Sequence, residues 1–154
     1  MIRRIDHVNI VVRDMETMIG FYRNVLGLRL TKQATISGRW IDVVTGLERV
    51  MAEVAFLDCP EGPGIELLRY VGPAGPRTEG LGAPNMPGLR HLAFRVEQID
   101  RLAEAIRTAG VTLVSEVQQV PGAQVDYAGV RKRLVYFHDP EGNLLELCAY
   151  EPIA

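Results

Sequence analysis

Hydrophobic and polar positions alternate through "LRHLAFRV", residues 89–96. Leu92, Phe94 and Val96 fall on one side of a predicted strand, with His91, Ala93 and Arg95 on the other. "IDHVNIVV" near the N-terminus has the same form, with Val8, Ile10 and Val12 opposed to His7, Asn9 and Val11. Each strand runs into a segment whose apolar residues recur at helical spacing. These are Met15, Met18, Ile19 and Tyr22 in the first segment, and Ile99, Leu102, Ala103 and Ile106 in the second. Asp14 suits the N-cap of the first helix and Asp100 the first turn of the second. Gly27 and Gly110 stand where a helix C-terminus favours positive φ.

Aligning His91 on His7 therefore reveals an internal duplication, and the ends of the two halves match as well. "FLDCPEGPGIELLRY" (56–70) and "FHDPEGNLLELCAY" (137–150) both read as strand, tight turn and strand. Glu66, Leu68 and Tyr70 share a face in the first, as do Glu146, Cys148 and Tyr150 in the second. The middle strands are "LRLTKQAT" and "MAEVAFL" in the first half, "VTLVSEV" and "KRLVYF" in the second. Between the halves, residues 71–88 hold five glycines and four prolines, a composition that excludes a helix or a central strand. The expected architecture is α+β. Two tandem βαβββ modules, 1–70 and 89–154, flank a connector at 71–88, each with a helix on one face of a mixed, mostly antiparallel sheet. The other faces, bearing the histidines and glutamates, are left to form a shared cup.

Charge and composition narrow the functional classes. The 154 residues are 47% hydrophobic and 23% charged with a formal net charge of -2, which gives no case for nucleic acid or an anionic membrane as partner. No apolar run approaches a membrane span, and "MIRRIDHV" lacks the apolar core of a signal peptide, so a cytoplasmic location is expected. Cys59 and Cys148 lie far apart without CxxC spacing and read as free thiols.

The chemistry lies in two pairs, His7 with Glu66 and His91 with Glu146. One histidine on a strand is more often a satisfied structural residue, and a lone glutamate is most simply exposed on an edge. Repetition of both types at matched positions changes that balance, because buried carboxylates are kept only when paired or metal-bound. Two imidazoles and two carboxylates suit one divalent ion such as Zn, Ni, Co, Mn or Fe. Weaker candidates are Asn9 and Arg95 on the histidine face and His138 beside the closing turn. The "RKR" at 131–133 reads best as a solvated face, and Trp40 and Tyr127 as packing or cup walls.

Over nearly its whole length the chain resembles the vicinal-oxygen-chelate superfamily of glyoxalase I, methylmalonyl-CoA epimerase, extradiol dioxygenases and antibiotic-resistance proteins. The segments that carry the resemblance are "IDHVNIVVRDMETMIGFYRNVLGL", "GLRHLAFRV" and the closing "YFHDPEGNLLELCAY". The resemblance implies a metal-bearing cup with His7, Glu66, His91 and Glu146 at the metal-facing positions. A carboxylate at Glu66 resembles the glyoxalase pattern, whereas the epimerase commonly has glutamine there. The leading expectation is a metal-dependent lyase or isomerase that removes a proton beside a metal-bound carbonyl of a small oxygenated substrate. Glu146, slightly favoured, or Glu66 would act as base. The alternatives are an Fe(II) or Mn(II) dioxygenase and a metal-free antibiotic-binding protein. Exposed strand edges in such a cup lead us to expect a homodimer.

Overall fold

A computed structural model describes residues 1–76, 79–80 and 82–153. The chain forms two compact units, Met1–Arg77 and Thr78–Ala154, and the division falls within the Gly/Pro-rich stretch.

In the first unit, β1 (His7–Val11) leads to α1 (Met15–Gly20), which continues as a wider π-helical turn over Phe21–Val25. Then follow β2 (Arg29–Ser37), α2 (Arg39–Thr45), β3 (Met51–Asp58) and β4 (Gly64–Gly72). The sheet order is β1-β4-β3-β2, with β1 parallel to β4 and the other pairs antiparallel. α1 starts at Asp14, whose carboxylate accepts from the Thr17 backbone N–H at 3.0 Å and from the Thr17 hydroxyl at 2.7 Å. Met15, Met18, Ile19 and Tyr22 are all buried, and α1 contacts β3 and β4.

The second unit repeats this plan with β5 (His91–Arg95), α3 (Ile99–Thr108), β6 (Gln118–Gln119), β7 (Val130–His138) and β8 (Leu144–Pro152). Its order is β5-β8-β7-β6, again with one parallel pair, β5 with β8. Ile99, Ala103 and Ile106 of α3 are buried beside Val135 and Phe137 of β7 and Leu145 and Leu147 of β8. Gly27 and Gly110 have φ of 78° and 81°, the conformation expected where each helix ends. Asp100 does more than favour the helix dipole, because its carboxylate accepts two hydrogen bonds of 2.7 Å from Arg133 on β7.

Two elements differ from expectation. "VTLVSEV" does not form a strand: Leu113 makes one isolated bridge to Phe137, and the chain then bends through Ser115 and Glu116. At this exposed bend Glu116 pairs with Arg107 of α3 at 2.6 Å instead of lying along the sheet. Only Gln118 and Gln119 rejoin the sheet. Conversely, α2 occupies a stretch with no helix in the expected module. It starts after Gly38 and ends at Gly46, whose φ is 70°. Its Ile41 buries against Val50, Ala52, Val54 and Leu68, while Trp40 stays 57% exposed and not part of any core.

Candidate metal-binding residues

Strand register brings the chemistry-bearing side chains to one face in each unit. In the first, Asn9 pairs with Glu66 and His7 with Gly64 across the parallel strands, so His7, Asn9 and Glu66 share a face. Asn9 Nδ2 donates to Glu66 Oε1 at 2.6 Å. His7 Nδ1 lies 3.0 Å from the Asp6 carboxylate, an arrangement that orients the ring and leaves Nε2 for another partner. The His7 hydrogen bond and charge hold Asp6 below the usual carboxylate range. Farther along the same face, the apolar group around Ile41 takes in Ile36, Phe56 and Tyr70. Glu66 itself is half-buried on β4, an inner strand, so edge exposure does not explain it.

In the second unit the corresponding pair is in contact. His91 Nε2 is 3.2 Å from Glu146 Oε2, and Glu146 is only 3% exposed on the inner strand β8. Tyr136, opposite Glu146 on β7, sets its ring 5.1 Å from the His91 ring. Burial and the Glu146 charge push the Tyr136 phenol up, and they do the same to the Cys148 thiol. The other Glu146 oxygen, Oε1, lies 3.0 Å from Lys132 Nζ. Burial opposes the Lys132 ammonium, but Glu146, then Tyr150 and Cys148, more than offset it and raise its pKa. Arg95 and Lys132 both lie over the Tyr150 ring, at 5.1 and 5.8 Å, and Tyr127 meets that ring edge-on at 5.7 Å.

The "RKR" stretch is thus divided by strand alternation, and the expectation of a solvated face fails for Lys132 and Arg133, both largely withdrawn from water. Arg131 pairs with Glu151, and Arg133 with Asp100 and Glu151, on the helix side. Lys132 has the parity of Tyr136 and His138, and its side chain is only 16% exposed. That parity is visible in "VRKRLVYFH" and was the available signal. Asn9 binds its own glutamate, and Arg95 stacks on Tyr150. His138 Nε2 lies 3.1 Å from the Gly82 carbonyl. The closing "DPEGN" is a turn device: Asp139, 4% exposed, accepts from the backbone N–H groups of Glu141 and Asn143 and from the Asn143 amide.

A cavity of about 740 Å³ in the first unit is lined by Arg13, Asp14, Gln33, Thr35, Glu53 and Arg69. Glu53 and Arg69 have the strand parity opposite to Glu66, and their charges are answered by a bidentate pair at 2.7 and 2.8 Å. The cavity therefore lies apart from the His/Glu face. Among the described residues no three His, Cys, Asp or Glu side chains gather in a metal-binding group. Each unit supplies one histidine and one glutamate on a common face, nitrogen and oxygen donors that fit a divalent first-row ion.

A family model described as the Glyoxalase/Bleomycin resistance protein/Dioxygenase superfamily matches residues 4–147, and the chain belongs to this superfamily. It is similar to a glyoxalase family protein of known structure from Bacillus cereus, at 32% identity and a TM-score of 0.84. That match covers 98% of this chain and 96% of the other. It is 27% identical to an ethylmalonyl-CoA/methylmalonyl-CoA epimerase from Cereibacter sphaeroides, covering 96% of this chain and 98% of the relative. A probable lactoylglutathione lyase from Vibrio parahaemolyticus is 29% identical, over 94% of this chain and 88% of the relative. No described helix is long and apolar enough to cross a membrane.

Proposed function

We propose that this chain is a divalent-metal-dependent lyase or isomerase that moves a proton beside a carbonyl of a small oxygenated substrate. The observation carrying this reading is the close His91–Glu146 pair on one face of the second sheet, repeated in residue type by His7 and Glu66 on the matching strands of the other module. The relatives named as lyase and epimerase support it. His7, Glu66, His91 and Glu146 are the residues that would hold the ion. A bound divalent ion supplies positive charge that stabilises negative charge developing on the carbonyl oxygen.

The remaining work falls to the protein. Glu146 and Glu66 are the two carboxylates able to take the proton and return it. Asn9 fixes the Glu66 carboxylate, and Asp6 fixes the His7 ring. His91, packed against Tyr136, can hold its ring plane without solvent reorganisation.

Metal content by mass spectrometry on gently purified protein tests the proposal. About one divalent ion per chain, lost in both His7→Ala and His91→Ala, is the expected result. Absence of metal, with no uptake of Zn, Ni, Co, Mn or Fe, overturns it and leaves a ligand-binding domain. With methylmalonyl-CoA and lactoylglutathione as probe substrates in D₂O, Glu146→Gln should keep much of its metal and lose deuterium incorporation. Incorporation at the wild-type rate would remove Glu146 as the base.

A further inference from the structure

The two modules treat their glutamates differently. Glu66 is held by a neutral amide, Asn9. In the second module the position matching Asn9 is Ala93, which has no donor to offer. Glu146 is met instead by the ammonium of Lys132, 3.0 Å from Oε1, while His91 stands at Oε2. Lys132 lies across from Tyr150 on β7, and the matching place opposite Tyr70 on β3 is filled by Ala52. So one module answers its buried carboxylate with a full positive charge, and the other does not.

That charge has a consequence for any second cation. A buried carboxylate is stable only with a counter-charge or a dense set of donors. Lys132 supplies the counter-charge from within the chain. Its Nζ forms an ion pair with Glu146 Oε1 at 3.0 Å and lies 5.8 Å from the centre of the Tyr150 ring, and its side chain is largely withdrawn from water. A divalent ion bound through Glu146 would sit close to this ammonium in a medium that screens poorly.

We propose that Lys132 is a built-in competitor cation, whose charge neutralises Glu146 across their ion pair and weakens divalent-metal binding at the second module. The proposal rests on the metal reading above. It assigns Lys132 no contact with substrate, and it makes metal occupancy depend on a residue outside the donor set.

Isothermal titration of Mn(II) alone into wild type, Lys132→Met and Lys132→Arg tests it, with circular dichroism to verify folding. Lys132→Met should bind about tenfold more tightly or better, and Lys132→Arg should match wild type, because the charge and not the side-chain length sets the effect. Adding Glu146→Gln to Lys132→Met should abolish the gain. Should Lys132→Met fail to fold, Lys132→Gln removes the charge while keeping a donor and is read the same way. Unchanged or weaker binding by the folded neutral variants overturns the proposal while leaving the metal reading intact. Binding by Lys132→Met alone supports the proposal and overturns metal dependence of the native chain. Binding by neither overturns both.

Discussion

Asn9 on β1 and Glu66 on β4 are direct partners across a parallel strand pair, and the amide of one donates to the carboxylate of the other at 2.6 Å. Asn9→Ala removes this donor on an exposed strand without opening a core cavity. Hydrogen bonds that orient a metal-binding residue typically change affinity by about 10–100-fold. We therefore expect calorimetry to show weaker divalent-ion binding by about tenfold, with a thermal midpoint close to wild type. Full-strength binding by Asn9→Ala would mean that the amide has no part in holding Glu66 for the ion.

Much of this arrangement is legible in the sequence because strand alternation is a strict period of two. Once His7 and His91 are aligned, the parity of Glu66 and Glu146 follows, and so does the burial of Met18, Tyr22 and Ile106 on the helices. The repeat hides what is not repeated. α2 lies where the second module has no helix, and "VTLVSEV" alternates like a strand although only Leu113 bridges the sheet and Glu116 pairs with Arg107 outside the segment. Lys132 stands between two arginines whose side chains point the other way. The composition of "RKR" alone does not carry the separation that the pleat makes.

The bidentate Asp100–Arg133 pair gives the fold an acid-sensitive contribution. Arg133's hydrogen bonds hold the Asp100 carboxyl below its ordinary range. A carboxyl depressed in the folded state stabilises fully above its unfolded pKa, about 3.9, and loses that contribution as pH falls through the folded value. The Asp100 side chain is 69% exposed, so solvent screening limits the effect to about 1 kcal/mol or less. Urea denaturation should thus find Asp100→Asn less stable than wild type at pH 7, with the two curves converging as pH falls through the folded-state value. A difference that persists unchanged into acid would assign the loss to something other than this ion pair.

Ile106 is fully buried on α3, which packs against β7 and β8. Ile106→Ala should cost about 2–5 kcal/mol, the usual range for truncating a closely packed aliphatic residue. Chemical denaturation measures this directly. A loss below about 1 kcal/mol would show that the helix–sheet contact relaxes into the gap.

Gly82 is required for space, not for an unusual backbone angle. A Cβ built there would lie 2.7 Å from His138 Nε2 and 2.8 Å from the Gly142 carbonyl oxygen. The imidazole ends a side chain and can turn aside, but the carbonyl belongs to the closing turn fixed by Asp139. Gly82→Ala should therefore destabilise the protein by about 1–3 kcal/mol through overpacking. It should also break the contact between His138 Nε2 and the Gly82 carbonyl at 3.1 Å, visible as a changed His138 imidazole signal by NMR. Adding His138→Ala relieves only the first clash, so the double variant should recover part of the loss and not all of it. Complete recovery would mean that the closing turn yields easily, and that the imidazole alone sets the need for glycine at position 82.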